Sequence, residues 1–150
     1  MTDAAFDYTK ADAFGGVVIN PVGDVLLREP AGHYGGYAWT FPKSRPKENE
    51  VPEHAALRSL LEEAGVRAAI RGPLPQIFQG TTSTTVFFLM REIEGGQSFS
   101  AETNAVRWVD VEEAKRLISL SPSKPGRKRD LAVLDAAFAI WRRHKDFDTS

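Results

Sequence analysis

Two short apolar runs open the chain, "AFGGVVIN" and "DVLLRE", separated by "PVGD". Aliphatic and β-branched runs bounded by Pro, Gly and Asp read as strands, so a β-hairpin is predicted at the start of the domain. "PAGHYGGY" is then a glycine-rich loop, and "AWTF" a short apolar strand stopped by Pro42. From Pro52 the period changes. Leu57, Leu60, Leu61 and Ala64 fall on one helical stripe, Pro52 suits a first-turn position and Gly65 a C-terminal stop. An amphipathic helix of about three turns is predicted there. Beyond it, "VRAAI", "LPQIFQG", "TTVFFLMREI" and "AVRWVDV" read as strands between turn-rich breaks. "VEEAKRLI" and "RDLAVLDAAFAIWRRH" return to helical spacing, and "SPSKPGRKRD" between them is the most linker-like piece.

Strands and helices are interleaved, but most connections are too short for repeated βαβ crossovers. The pattern predicts an α+β or mixed layered domain, with helices packed on the faces of a largely mixed sheet. There is no internal repeat, heptad run or low-complexity tract. The 150 residues fit one domain, 1–150, long enough to bury a core. A hydrophobic fraction of 42% and a charged fraction of 26% are ordinary for a soluble globular protein. The longest apolar runs are too short to cross a bilayer, so no membrane partner is expected.

The formal net charge of -1 gives no global field to hold a nucleic acid. The expected partner is instead a small phosphorylated molecule, gripped by locally placed Lys and Arg. The sequence has no cysteine, which excludes disulfides, thiolate chemistry and Cys-based zinc sites. "MTDAAFDYTKADAF" lacks the basic and then apolar layout of a signal peptide, so a cytoplasmic address is expected. Nothing in the sequence bears on oligomeric state.

The candidate chemistry lies in "FPKSRPKENEVPEHAALRSLLEEAGV". Arg58, Ser59, Glu62 and Glu63 are helix-surface neighbours, placed away from the Leu57/Leu61/Ala64 stripe. Adjacent carboxylates crowd unfavourably unless a cation neutralises them, and hard divalent metals such as Mg²⁺ favour oxygen ligands. On spacing alone, a solvated face with an Arg58–Glu62 pair is the commoner reading. Upstream, Lys43 follows a proline-rigid strand end, with Arg45 and Lys47 close behind. Basic groups beside a carboxylate-bound metal are what a pyrophosphate needs.

In this register the residues resemble the Nudix hydrolase family, whose box reads G, five residues, E, seven residues, then R-E-U-x-E-E-x-G-U, with U a bulky aliphatic. The matching positions are Ser44, Glu50, Arg58, Ser59, Leu60, Glu62, Glu63, Gly65 and Val66; seven of the nine agree, Ser44 and Ser59 departing. The resemblance implies an α/β/α sandwich on a mixed sheet, with the box as a loop, helix and loop holding Mg²⁺, or Mn²⁺, against a substrate pyrophosphate. It implies that Glu62 and Glu63 are metal ligands, that Arg58 orients carboxylates, and that Glu50 is the supporting loop acid. Lys43 resembles the lysine of "FPKG" in relatives that hydrolyse dinucleoside polyphosphates. In "ETNAVRW", Glu102 resembles an acidic residue which that branch adds to its site.

The departures carry consequences. Ser44 replaces the box glycine, where positive φ or close approach by substrate is expected. Val51 leaves the helix without a side-chain N-cap. Ser59 replaces the glutamate that in many relatives binds metal or acts as general base, and a hydroxyl supplies neither charge nor basicity at pH 7. Glu102, Glu50 and Glu53 are the candidates to supply the base instead. The alternative is a nucleotide-binding Nudix-fold module without hydrolysis.

Other features read more plainly. His33 and His54 are surface or capping histidines before they are proton carriers. Lys124, Arg127, Lys128 and Arg129 suggest a solvated basic turn, or contacts to distal phosphates. Among Trp39, Phe78, Phe87 and Trp108, alternating strand positions place most in the core. "TTSTT" lacks the P-loop arrangement and reads as strand polarity.

Overall fold

A computed structural model describes residues 6–148. Among these residues, five strands form one mixed sheet: β1 (Ala13–Val18), β3 (Lys43–Ser44), β4 (Arg67–Pro73), β5 (Phe78–Gln79) and β6 (Thr84–Glu94). The order is β3-β1-β6-β4, with β5 also on β6. β1 runs parallel to β6, pairing Phe14 with Val86 and Val17 with Leu89; the other pairings are antiparallel. A second, two-stranded ladder joins β2 (Val25–Pro30) to β7 (Thr103–Val109).

The predicted opening hairpin is therefore only a root. Ile19 bridges Val25, and then β1 and β2 part to different sheets. β1 is buried along its whole length, so both its faces demand cover, and pairing with the equally apolar β6 supplies its neighbour. "AWTF" is not a strand either: Thr40 makes an isolated bridge to Arg28, and the paired residues come after Pro42.

Period-two alternation on β1 and β6 builds two cores. Val17, Phe87 and Leu89 face one cluster with Leu134 and Phe138 of α3 (Lys124–Asp148) and Ile118 of α2 (Val111–Ile118). Val18, Val86, Phe88 and Met90 face the other, with Ala56, Leu60 and Ala64 of α1 (Pro52–Ala64). Helices thus cover both faces, as the α+β, α/β/α expectation requires. No helix among the described residues is long and apolar enough to cross a membrane.

Close approach at the site edge of β1 depends on glycine. A Cβ on Gly15 would lie 2.2 Å from the Pro42 carbonyl oxygen. Only a residue without a side chain lets β3, which carries Lys43 and Ser44, dock there.

The piece read as a linker is largely helical. α3 starts at Lys124, and Arg129 and Asp130 are buried within its second turn. Arg127 turns back onto the carbonyls of Ser121 and Pro122, at 2.7 and 3.2 Å, satisfying groups just outside the helix start. The basic cluster is thus divided: Lys124 and Lys128 are exposed, and Arg129 is buried.

Candidate functional site

The buried arc of α1 differs from the predicted stripe. Ala55, Ala56, Ser59, Leu60 and Ala64 face inward, while Leu61 is 41% exposed. Small residues at 55, 56 and 59 let the helix approach the sheet, and that close contact selects the inward face over side-chain size. Ser59 is fully buried, and its hydroxyl donates to the Ala56 carbonyl at 2.7 Å. It therefore belongs to the dry face rather than to the charged one on which the helical spacing put it.

Glu63 lies one turn beyond Ser59, at the wall of a cavity of about 700 Å³. Its carboxylate accepts the Lys43 backbone N–H at 3.2 Å and the Ser44 hydroxyl at 3.5 Å, and Arg28 Nε stands 3.6 Å away. Ser44 sits in β3 rather than in a left-handed turn, so this strand tolerates the serine at the box glycine position without strain. Burial pushes the Glu63 carboxyl up to about 7, against the pull of Arg28 and of the Lys43 N–H and ammonium; Glu102 pushes it further the same way. Burial also lowers the pKa of Lys43, and the Arg129 charge adds to that.

The cavity is lined by the charged Arg28, Lys43, Glu63 and Glu102 together with Pro30, Tyr34, Tyr37 and Phe41. Tyr34 is 84% exposed and rides on the 31–36 loop, where Gly32 (φ 65°), Gly35 (φ 74°) and Gly36 (φ 83°) take left-handed backbone. Those conformations favour glycine, which explains the loop's composition. Glu102 stands exposed at the rim, and its backbone carbonyl accepts Arg28 Nη2 at 2.9 Å.

The remaining box residues gather on the other side of the helix. Arg58 holds Glu50 by a two-pronged pair, Nε at 2.9 Å and Nη2 at 2.7 Å, and reaches Glu62 at 3.2 Å and the Arg45 carbonyl at 3.0 Å. These bonds pin the loop leading into α1. They also hold the Glu50 carboxyl down to about 2, with the Arg58 hydrogen bonds as the main cause. Glu62 is half exposed, and the Arg45 side chain is exposed outside the cavity lining. Glu53 accepts a short hydrogen bond from Tyr8. Of the three acids considered as a base, only Glu102 lines the cavity.

Among the described residues, no three Asp, Glu or His side chains converge closely enough to hold a metal ion by themselves. His33 pairs with Glu29 at 3.5 Å, and His54 is exposed on α1. Phe78 and Phe87 are core residues, while Trp39 and Trp108 are partly buried at its margins. Thr82 of "TTSTT" lines the cavity, and Thr84 and Thr85 begin β6.

Arg28 is a site residue that sequence reading missed. It sits beside Glu29 in the second half of a strand, "VLLREP", where two adjacent charges gave no sign of which one faced a site. Tyr34 lies within the glycine-rich loop and was missed as well, because a loop residue carries no periodicity to aim it.

The sequence profile of the NUDIX domain matches residues 9–131 of this chain. Over 91 residues the chain is 32% identical to an 8-oxo-dGTP diphosphatase from Proteus vulgaris, a match covering 57% of this chain and 80% of that protein. Its fold is similar to that of an Ap4A hydrolase from C. elegans, with a TM-score of 0.59 and 22% identity over 70% of this chain and 84% of that one. It is also similar to an ADP-ribose pyrophosphatase from Streptococcus suis, with a TM-score of 0.63 and 20% identity over 86% and 92% of the two chains.

Proposed function

The chain belongs to the Nudix family of hydrolases, and from that premise we propose that it hydrolyses a phosphoanhydride bond in a nucleoside diphosphate linked to a further group. The observation that carries this reading is a single cavity lined both by charged side chains and by aromatic ones. A polyphosphate suits Arg28 and Lys43, and a nucleobase suits Tyr34. 8-oxo-dGTP, Ap4A and ADP-ribose, the compounds named for its relatives, all join a nucleoside to a phosphoanhydride.

Mg²⁺, or Mn²⁺ in its place, is the metal the family implies. Mg²⁺ keeps several waters and is commonly held by one or two carboxylates plus substrate phosphates, so a site without three converging acids still suits it. Glu63 and Glu102, on the same cavity, are the residues that would hold it; the exposed Glu62 acts in this reading through Arg58. Bound there, the cation would neutralise phosphate oxygens and acidify the attacking water.

The chain's own groups do the rest. Lys43 and Arg28 bind non-bridging phosphate oxygens and stabilise the charge that grows on them. The Glu50–Arg58 pair keeps the box loop in place. Glu102 takes a proton from water as the new O–P bond forms and the bridging P–O bond breaks, the leaving phosphate departing with the bridging oxygen.

The test is product release from nucleoside triphosphates, dinucleoside polyphosphates and nucleoside diphosphate sugars, with Mg²⁺, Mn²⁺ or chelator. Metal-dependent turnover is expected, with kcat lowered about 10²- to 10⁴-fold in Glu102→Gln. Unchanged turnover in that variant removes Glu102 from the mechanism. Silence of the native chain across the panel sinks the whole reading.

A further inference from the structure

Behind Thr40, which lines the cavity, lies an ion pair that the proposed chemistry does not use. The side chains of Arg129 and Asp130 are both 0% exposed. Asp130 accepts from Arg129 through Nη2 at 2.8 Å and Nε at 2.9 Å, and from the Thr40 hydroxyl at 2.6 Å. Arg129 Nη2 also donates to Thr40 Oγ1 at 3.2 Å. The guanidinium lies over the rings of Tyr37 and Phe87, 4.8 and 5.4 Å from their centroids. Its Nη1, buried, has no hydrogen-bond partner among the described residues.

Stability does not account for this arrangement. Desolvation offsets most of the attraction in a buried ion pair, and apolar residues of similar volume often serve as well or better. An unpartnered buried donor is a further penalty. What the pair touches is more telling. Thr40 lines the cavity and exchanges backbone hydrogen bonds with Arg28, each at 2.9 Å. Arg28 in turn faces Glu63 Oε1, and three residues after Thr40 the Lys43 backbone N–H donates to the same oxygen. Thr40 therefore ties α3 to the segments carrying both cationic groups of the site, by its hydroxyl on one side and its backbone on the other.

We propose that Arg129 and Asp130 are positioning residues: through Thr40 they hold Arg28 and Lys43 at one setting against Glu63, so that the two cations meet a pyrophosphate together. The proposal rests on the hydrolase reading for its effect on turnover, but its effect on phosphate binding can be measured independently. The Arg28 guanidinium is held from the other side by the Thr103 hydroxyl at 2.8 Å and the Glu102 carbonyl at 2.9 Å, so a loose Thr40 would let the Lys43 segment shift relative to Arg28. Supporting residues of this kind typically change affinity or activity about 10- to 100-fold when removed.

Three variants separate positioning from packing. Arg129→Met/Asp130→Leu replaces the pair by apolar residues, Thr40→Val removes only the hydroxyl, and Thr40→Ser restores it. For each, calorimetry with inorganic pyrophosphate and Mg²⁺ gives binding, thermal unfolding gives Tm, and the best substrate of the panel gives kcat and KM. The expected result is pyrophosphate binding and kcat both about tenfold weaker in the double variant and in Thr40→Val, with Thr40→Ser recovering most of both. Native binding and turnover in a folded double variant, or in Thr40→Val, overturn the proposal. So does an equal loss in Thr40→Ser and Thr40→Val: Ser keeps the hydroxyl and Val keeps the methyl, so the effect would not follow the hydroxyl. If the double variant does not fold, the two Thr40 variants decide alone. If the native chain binds pyrophosphate but turns over nothing, the hydrolase reading falls, and the binding comparison still decides positioning. No pyrophosphate binding by the native chain overturns both.

Discussion

Glu63 is a carboxylate kept from water and only partly compensated by Arg28 and the Lys43 N–H. Its pKa rises from 4.5 to about 7, so between those values the folded protein keeps a proton that the unfolded chain has released. Stability should therefore fall as pH rises through that window, by up to about 3 kcal/mol, and level off above it. Glu63→Gln should remove this component: urea midpoints measured in chelator from pH 4.5 to 8 should decline for the native chain and decline less for the variant. Parallel profiles would assign the titration to another group. Ser59 shows the limit of reading single residues. The sequence revealed that a carboxylate was missing, but not that the hydroxyl would turn onto the Ala56 carbonyl inside a dry helix face. Which side of a helix is buried depends on what packs against it.

At the scale of elements, α1 begins without a side-chain cap. Val51 is extended (φ -76°, ψ 156°), 49% exposed, and offers no acceptor to the first helical N–H groups. Val51→Ser should stabilise the protein by about 1 kcal/mol, read as a higher Tm. An unchanged Tm would mean that water already satisfies those donors as well as a hydroxyl does. The helix end is better provided: Gly65 is left-handed (φ 67°) and its N–H returns to Leu61. Pro52, the missing cap and Gly65 were all legible, because helix ends obey local rules. Strand pairing does not. β1 and β2 looked like a hairpin through the turn between them, yet β1 found its long neighbour in β6, some 70 residues away.

At the scale of the molecule, the cavity is assembled from segments distant in sequence: Arg28 and Tyr34 before the box, Lys43 and Glu63 at its two ends, Thr82, and Glu102. If Tyr34 receives a base, Tyr34→Ala should raise KM for the best nucleotide substrate about tenfold with little change in kcat, since stacking on an aromatic ring is worth about 1–3 kcal/mol. Steady-state kinetics decide this, and an unaltered KM removes Tyr34 from recognition. The same map separates what the chain's order determined from what its packing decided. The first helix and the mixed α+β layering follow from residue spacing, because spacing sets which groups share a turn or a strand face; the box and its departures at Ser44 and Ser59 were legible through the resemblance to the Nudix pattern. The burial of Ser59, the joining of Arg28 to Glu63, the exposure of Tyr34 and the buried Arg129–Asp130 pair were decided only by tertiary structure. Each depends on contacts between segments whose separation along the chain says nothing of their distance in space.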